Sequence, residues 1–204
     1  MWHVVLPFKG TDDAKSRLQL PPSTRSRLVD AMAADTLDAV LASSEVLRVS
    51  LLTRHLPAPH VGSTGVDVVA QPEALSSLDQ ALTWFACSYA DASSPLAIVM
   101  ADLPALRTES VTAFLQTAAL HPAAMVTDCD GSGTTMLTSR PAADVRPHFG
   151  MRSAAEHRAA GAVPVATAAD AQRDVDTTHD LAHARALGLG PHTRELLAEL
   201  DVAR

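Results

Sequence analysis

Apolar segments of two lengths alternate along this chain. Short, nearly continuous apolar runs, such as Trp2–Phe8 and Leu96–Met100, are typical of strands buried on both faces of a parallel sheet. Longer segments carry apolar residues three or four positions apart, which is the spacing of an amphipathic helix. The segment Thr24–Ser44 is an example, with Leu28 and Met32 on one face. The alternation predicts an α/β protein.

The same patterns predict the remaining elements. Strands that alternate with helices imply a mainly parallel sheet with helices on both faces, in one domain spanning residues 1–204. Thr177 followed by Asp180 is a capping-box pattern and predicts a helix start. Further strands are predicted at Leu47–Thr53, Val66–Ala70, Ala124–Thr127, Thr134–Ser139 and Ala162–Ala166, and further helices at Ser77–Tyr89, Thr108–Leu120, Met151–Ala160, Thr177–Leu187 and Thr193–Leu200.

Composition and charge narrow the classes of function. The 204-residue chain has 47% hydrophobic and 19% charged residues, which is typical of a globular protein with a core. Its net charge of −7 comes without a basic block, so we expect no nucleic-acid partner. No apolar run approaches the ~20 residues of a membrane span, and the chain opens on a strand pattern, so we expect neither a membrane span nor a leader. Cys87 and Cys129 fit no metal-site spacing, and a reducing cytoplasm is the simplest location.

Three carboxylates are the strongest candidate for a metal site. Asp174 and Asp176 are separated by one residue, so on an extended segment they point to the same side, where their charges repel. Asp102 follows a buried strand, and open α/β sheets bind ligands beyond the carboxyl ends of their strands. Hard oxygen ligands favour Mg²⁺ on a nucleoside triphosphate. Two simpler interpretations stay open: the Asp pair as a cap of the next helix, and Asp102 as a turn former before Pro104.

Three cations follow the first strand. Lys9, Lys15 and Arg17 lie in the first strand-to-helix connection, which holds phosphates in doubly wound sheets. The spacing is not that of a Walker loop. Cations at this position would neutralise a triphosphate and stabilise charge on leaving pyrophosphate. A solvated basic loop is the alternative.

Two later turns carry candidate anion-binding groups. Asp128 opens a Gly-rich turn that ends at Thr134, whose hydroxyl could donate to phosphate or carboxylate oxygens. Gly150 and Ser153 precede another helix, where backbone N–H groups and a hydroxyl could bind an anion. The alternatives are an ordinary hairpin turn and a plain helix cap at Ser153.

Taken together, these segments resemble the CofC/FbiD family, the guanylyltransferases that make the activated phospho-acid precursor of the deazaflavin coenzyme F-420. The likeness covers nearly the whole chain and keeps its order. It implies a MobA-like, GT-A or Rossmann-like nucleotidyltransferase fold. The segments that carry it are Ala14–Leu18, Asp102–Leu106, Asp128 with Gly131–Thr134, Phe149–Gly150 with Ser153 and His157, and Asp174–Thr177.

The resemblance also implies an activity. A member of this family joins GMP from GTP to a three-carbon phospho-acid and releases pyrophosphate, with phosphoenolpyruvate, 2-phospho-L-lactate or 3-phosphoglycerate as acceptor. The alternatives are a MobA-like enzyme with another nucleotide or acceptor, and an inactive nucleotide-binding homologue. The chain departs from the family at Asp79 and Thr135, where Asn is frequent, and these positions bear on base or acceptor specificity. A homodimer is a further hypothesis.

The expected site has three groups of residues, and its partners are GTP and a small phospho-acid. The resemblance implies Mg²⁺ on three carboxylates and the phospho-acid on the two later turns. The assignments are Lys15, Arg17 and Asp102 as catalytic residues, Lys9, Asp128, Thr134, Gly150 and Ser153 as substrate-binding residues, and Asp102, Asp174 and Asp176 as Mg²⁺ ligands.

Overall fold

The computed structural model describes residues 1–8, 15–54 and 65–202. Within them, a sheet of seven strands is flanked by six α-helices. The strands are β1 (Trp2–Phe8), β2 (Val46–Thr53), β3 (Val66–Ala70), β4 (Leu96–Val99), β5 (Ala123–Thr127), β6 (Thr134–Ser139) and β7 (Val163–Pro164). The helices are α1 (Pro22–Leu41), α2 (Leu78–Ser88), α3 (Thr108–Ala118), α4 (Ser153–Ala159), α5 (Thr178–Leu187) and α6 (Pro191–Val202).

The sheet is mixed and mainly parallel, as predicted. Its strands lie in the order β3-β2-β1-β4-β6-β5-β7. β1 is parallel to both β2 and β4, whereas β6 runs antiparallel to β4 and β5. The chain leaves β1 for β2 on one side and later enters β4 on the other, so the connections diverge between β1 and β4. Open α/β sheets bind ligands at such a switch point.

Aliphatic side chains fill the space on both faces of the sheet. β1 is buried along its whole length and sends Val4 and Leu6 to one core cluster and Val5 to the other. The first cluster includes residues of α1 and α3, and the second includes residues of α2. This confirms helices on both faces. Strands buried on two sides read as continuous apolar runs, which is why β1 and β4 were predictable.

Two predicted elements are shorter than expected. The strand predicted at Ala162–Ala166 pairs only over Val163–Pro164, at the edge of the sheet. The backbone N–H of Val165 donates to Met125 at 2.9 Å, so the nitrogen of Pro164 faces away from β5, which is where an edge strand tolerates proline. The helix predicted at Met151–Ala160 begins at Ser153, because Arg152 before it has a left-handed backbone with φ 63°. The remaining predicted elements differ from the observed ones only at their ends.

Side chains set the start of two helices. Thr177 and Asp180 form the predicted capping box at the start of α5, and Ser77 and Gln80 form another at the start of α2. In each box, a hydroxyl and the side chain three residues later satisfy backbone N–H groups that the helix leaves unpaired. No helix in the described part of the chain is long and apolar enough to cross a membrane.

Candidate active site

Three distant segments meet at the carboxyl ends of β1 and β4. Lys15 follows β1, and Asp102 follows β4. The backbone N–H of Val175 donates to the backbone oxygen of Asp102 at 3.1 Å, which brings Asp174 and Asp176 to the same place. Val175 is fully buried, whereas Asp174 is half-buried and Asp176 is exposed. This alternation agrees with the prediction that the two carboxylates lie on one side of an extended segment.

The Lys15 ammonium lies between two carboxylates. Its Nζ pairs with Oδ2 of Asp102 and with Oδ1 of Asp176, the second at 2.5 Å. Burial lowers the pKa of Lys15, but the charges of Asp102 and then Asp176 outweigh it and hold the pKa above its ordinary value. The side chain is only 12% exposed, so water screens these pairs less than it screens surface pairs. Lys15 is therefore a fixed cation at the switch point.

The carboxylates retain unused capacity to bind a cation. Oδ1 of Asp102 is buried and has no hydrogen-bond partner among the described residues. Burial, followed by the negative charge of Asp102, raises the pKa of Asp174 to about 7, while Lys15 acts in the opposite direction. A divalent cation would pair the free oxygen and favour ionisation of Asp174. Oxygen donors of this kind fit Mg²⁺.

The three carboxylates do not form a closed cage. Within residues 1–8, 15–54 and 65–202, no group of three or more His, Cys, Asp or Glu residues is arranged to hold a metal ion. The Lys15 ammonium lies between Asp102 and Asp176. Mg²⁺ commonly uses one or two protein carboxylates and completes its shell with water and substrate phosphates, so it needs no such cage. The assignment of Asp102, Asp174 and Asp176 to Mg²⁺ stays a prediction.

Asp128 holds the Gly-rich turn between β5 and β6. Its carboxylate accepts hydrogen bonds from the backbone N–H groups of Ser132, at 2.9 Å, and Gly133, at 2.7 Å. A Cβ at Gly133 would lie 2.4 Å from Oδ2 of Asp128, so this approach requires glycine. The hairpin interpretation is therefore correct. Asp128 stabilises the turn, and its predicted contact with substrate stays a prediction.

A buried histidine links the first residue of β6 to the segment before α4. Oγ1 of Thr134 is 2.9 Å from Nδ1 of His157, and both side chains are buried. Nε2 of His157 accepts a hydrogen bond from the backbone N–H of His148 at 2.8 Å. Burial, followed by the charge of His148, lowers the pKa of His157 to about 4. The ring is therefore neutral near pH 7.

The start of α4 differs from the prediction. The N–H groups of Ser153 and Ala154 donate to the backbone oxygens of Gly150 and Ser132, at 3.2 and 3.1 Å, so they are already used. The helix-cap interpretation of Ser153 is wrong, because Arg152 occupies the cap position and no side chain caps the helix. Ser153 is 2% exposed, yet its hydroxyl has no partner within the described ranges. Its hydroxyl, and not its N–H, is left for an anion.

Both departures from the family pattern make hydrogen bonds to the backbone. Oδ1 of Asp79 accepts from the backbone N–H of Phe149 at 2.7 Å. Oγ1 of Thr135 donates to the backbone oxygen of Ala171 at 2.7 Å. Asp79 therefore holds the segment beside Gly150, and Thr135 holds a segment that precedes Asp174. Their effect on base or acceptor specificity stays a prediction.

Two predicted cations contribute less to the described structure. Arg17 is exposed in a short 3-10 helix, Ser16–Leu18, and makes no ion pair within the described residues. Lys9 lies outside the described residues. The catalytic role of Arg17 and the substrate-binding role of Lys9 both stay predictions.

The sequence did not reveal the roles of two residues near the site. His157 was noted only as part of the family pattern, although it lies four residues after Ser153 and therefore on the same helix face. Arg173, directly before Asp174, is half-buried and pairs with Asp180 at 3.5 Å. The hydrogen bonds of His157 and the pairing of Arg173 join segments in a way that sequence spacing does not encode.

Comparison with known proteins identifies the family. Residues 2–203 match the family model described as "Guanylyl transferase CofC like". The chain belongs to this family of CofC-like guanylyl transferases. Curated relatives of this CofC-like chain carry the name phosphoenolpyruvate guanylyltransferase. The relative from Geodermatophilus obscurus is 41% identical and aligns with 96% of this chain and 94% of its own. The relative from Streptomyces coelicolor is 39% identical and aligns with 99% of this chain and 98% of its own.

Solved structures agree with the nucleotidyltransferase fold. A protein from Desulfovibrio desulfuricans G20, provisionally assigned as a nucleotide-diphospho-sugar transferase, has a TM-score of 0.70 and 17% identity, covering 98% of this chain and 95% of its own. The 4-diphosphocytidyl-2C-methyl-D-erythritol synthase of Anaerococcus prevotii has a TM-score of 0.57 and 11% identity. The match covers 91% of this chain and 94% of that synthase. At such identities the likeness shows the fold alone.

Proposed function

We propose that this CofC-like chain transfers GMP from GTP to phosphoenolpyruvate and releases pyrophosphate, as a step of coenzyme F-420 biosynthesis. The observation that carries the proposal is the buried cation of Lys15 beside Asp102 and Asp176 at the switch point of the sheet. The choice of phosphoenolpyruvate rests on the names of the curated relatives. The other acceptors to be compared are 2-phospho-L-lactate and 3-phosphoglycerate.

The reaction needs no general base. The phosphate of the acceptor is already an anion, so one of its oxygens can attack the α-phosphorus of GTP directly. A new phosphorus–oxygen bond forms as the bond to the bridging oxygen of pyrophosphate breaks, and pyrophosphate carries away the electron pair. The protein has to align the two anions and neutralise their charge. Lys15 fits this task, because it is cationic and held in a fixed place.

Asp102, Asp174 and Asp176 would hold Mg²⁺. The proposal is supported by the unpaired Oδ1 of Asp102 and by the raised pKa of Asp174. Mg²⁺ bound there would supply charge neutralisation to the phosphates of both substrates. The acidic residues then bind anions only together with a cation, which explains how a chain with a net charge of −7 can use GTP.

The acceptor would bind beside the Gly-rich turn. Thr134 and Ser153 would contribute hydroxyl groups there, and the exposed Gly150 would contribute its backbone N–H. Ala154 donates to Ser132 and so ties the start of α4 to the turn that ends at Thr134. Such donors suit the carboxylate and phosphate oxygens of a phospho-acid, which only accept hydrogen bonds.

The product identifies the activity. The chain is incubated with GTP, Mg²⁺ and each phospho-acid in turn, and the products are separated and identified by mass spectrometry. We expect pyrophosphate and a diester in which a diphosphate joins guanosine to the enol acid, with the highest kcat/KM for phosphoenolpyruvate. A lack of this product with all three acids would show that the proposal is wrong.

Two controls separate the alternatives. CTP replaces GTP to test for another nucleotide, and GTP binding without turnover would identify an inactive nucleotide-binding homologue. Omission of Mg²⁺ in the presence of a chelator should stop product formation, since the carboxylates alone repel the phosphates. Product formed equally well without any divalent cation would contradict the metal assignment.

Location and assembly are finer parts of the same proposal. We infer a cytoplasmic location from the free cysteines Cys87 and Cys129, both of which are exposed and unpaired. The homodimer stays a prediction. Size-exclusion chromatography with light scattering should give twice the chain mass of 21.4 kDa if it forms.

A further inference from the structure

His157 makes two hydrogen bonds whose directions can be assigned. Its Nε2 lies 2.8 Å from the backbone N of His148, and a backbone N–H can only donate. Nε2 must therefore be the unprotonated, accepting nitrogen. The neutral imidazole then carries its hydrogen on Nδ1, which lies 2.9 Å from Oγ1 of Thr134. The bond between the two side chains thus runs from His157 to Thr134.

This direction determines what the Thr134 hydroxyl can do. Oγ1 accepts the hydrogen of His157, so its own hydrogen is not used in that bond. Within the described residues, the Thr134 hydroxyl makes no other hydrogen bond. Its hydroxyl hydrogen is therefore available to a ligand, and the ligand atom that it meets must be an acceptor.

The ring is held so that it cannot reorient easily. His157 is fully buried, and its ring meets the ring of Phe149 edge to face at 4.9 Å between centroids. Phe149 is itself fixed by Asp79, which accepts its backbone N–H. A flip of the ring by about 180° would turn the carbons Cδ2 and Cε1 towards Thr134 and His148, and both hydrogen bonds would be lost. The Nδ1–H tautomer is thus imposed by the surrounding backbone.

We propose that His157 is a positioning residue that holds Thr134 as a hydrogen-bond donor directed at the anionic acceptor. The inference rests on the proposed function, because it assumes that the phospho-acid binds at Thr134. His157 does not touch the substrate. It fixes the orientation of a hydroxyl before binding, so that less freedom is lost when the acceptor enters. The same ring ties the segment before Gly150 to β6 through His148.

Two substitutions separate the two bonds of the ring. In H157N, the amide N–H takes the place of Nδ1–H and can still donate to Thr134, but the bond to His148 is lost. In H157Q, the amide oxygen reaches the place of Nε2 and can accept from His148, but the donor to Thr134 is lost. Both variants remove the ring and its contact with Phe149, and they differ from each other in size by one methylene group.

Steady-state kinetics and equilibrium binding of phosphoenolpyruvate are measured for both variants. H157Q should raise the KM and the dissociation constant for phosphoenolpyruvate about threefold to tenfold, the cost of ordering one side chain, with the KM for GTP unchanged. H157N should stay within about twofold of the unsubstituted chain. Equal effects of the two variants on acceptor binding would overturn the proposal. If H157Q does not fold, a large rise in the acceptor KM of H157N overturns it.

A double-mutant cycle tests whether His157 acts through Thr134. T134V removes the hydroxyl and should weaken acceptor binding about tenfold or more, as expected for a lost hydrogen bond to a charged group. In this background H157Q should have less than about a twofold further effect. Additive effects of the two substitutions would mean that His157 acts by another route and would contradict the proposal.

Nuclear magnetic resonance separates failure of this inference from failure of the proposed function. Imidazole nitrogen shifts of the labelled chain should show one histidine in the Nδ1–H tautomer near pH 7, and its signals should be absent from H157N. The Nε2–H tautomer would overturn the inference whatever the enzyme does. If the tautomer is as expected but the chain neither binds phosphoenolpyruvate nor forms the diester, it is the proposed function that fails.

Discussion

Lys15 is stabilised by the same carboxylates that a metal-bound substrate would use. Its backbone is left-handed, with φ 59°, which costs a non-glycine residue about 1–2 kcal/mol. Ion pairs with Asp102 and Asp176 offset this cost. Under the proposed function, a divalent cation held by these carboxylates would replace Lys15 as their partner, and the ammonium would then be available to phosphate oxygens.

Lys15→Ala should slow the chemical step more than it weakens acceptor binding. The ammonium would stabilise charge that grows on leaving pyrophosphate, and a preorganised contact of this kind is worth roughly 10²–10³ in rate. We expect kcat to fall by this factor, with the KM for phosphoenolpyruvate little changed. Arg27→Ala, which removes an exposed cation paired with Glu199, is the control. An effect confined to the KM for phosphoenolpyruvate would mean that Lys15 contacts the acceptor and not the leaving pyrophosphate.

Asp102→Asn should abolish turnover and preserve the fold. The substitution keeps the shape of the side chain but removes the charge that attracts a cation. Loss of a group that merely supports a metal ligand costs ~10–100-fold, and loss of a ligand should exceed that. Turnover is measured over a range of Mg²⁺ concentrations beside the melting temperature. Asp67→Asn, at an exposed pair with Arg48, is the control. Near-normal activity of the Asp102 variant would refute its role in metal binding.

His3 should make the chain less stable as the pH falls. It is buried beside Phe85 and bonded to Ser50, and burial, followed by the charge of Arg48, lowers its pKa to about 4. In the unfolded chain the pKa is near 6.5, so between pH ~6.5 and ~4 the unfolded state binds more protons, and acid favours unfolding. Compared with the unsubstituted chain, His3→Gln should show a shallower decline of the unfolding free energy in this window. If the unfolding free energies of the two chains, measured by chemical denaturation, decline equally between pH ~6.5 and ~4, His3 is not responsible.

At the scale of elements, the β5–β6 turn and α4 form one unit. Asp128 fixes the turn, Ala154 at the start of α4 donates to Ser132 within it, and His157 on α4 bonds to the residue that ends it. A change in the turn should therefore reach the proposed acceptor pocket. α4 by itself is a short helix without a side-chain cap, so its place depends on these contacts.

Gly133→Ala should disrupt the turn and weaken acceptor binding. The added Cβ would lie 2.4 Å from Oδ2 of Asp128, so either the turn or the carboxylate must move. We expect a loss of stability of about 1–3 kcal/mol and a higher KM for phosphoenolpyruvate, with the KM for GTP unchanged. Asp128→Ala removes the clashing oxygen, so Gly133→Ala should cost little more in that background. If the two substitutions lower the unfolding free energy additively in chemical denaturation, a contact other than that with Asp128 causes the loss of stability.

At the scale of the whole molecule, the parts that follow local rules were predictable. The apolar runs of β1 and β4 give buried strands that lie parallel to each other, and strand position alone places Asp102 at the edge where open α/β sheets bind ligands. The capping box of Thr177 and Asp180 is a local interaction and was read correctly. The sequence thus predicted the sheet, its two covered faces and the meeting of distant carboxylates.

The parts that depend on tertiary contacts were not predictable. His157 acquires its role from Thr134 and His148, which are distant from it along the chain or approach it through a loop. The cap at Ser153 was wrong because Arg152 takes a left-handed backbone, which is uncommon for a residue other than glycine. The ends of β7 were wrong because the pattern does not show how few residues an edge strand will pair.

Binding of the correct nucleotide should stabilise the whole chain. A ligand that binds only the folded state at about 100 times its dissociation constant adds ~2.7 kcal/mol to the unfolding free energy. For a chain of this size each kcal/mol raises the melting temperature by about 2–4 °C, so GTP with Mg²⁺ should raise it by roughly 5–10 °C. CTP with Mg²⁺ at the same concentration should do much less. Asp102→Asn should lose most of the shift with GTP, because the nucleotide would bind through the metal held at the switch point of the sheet. Equal shifts with GTP and CTP would mean that the base is not read, and the assignment of GTP as the substrate would then be wrong.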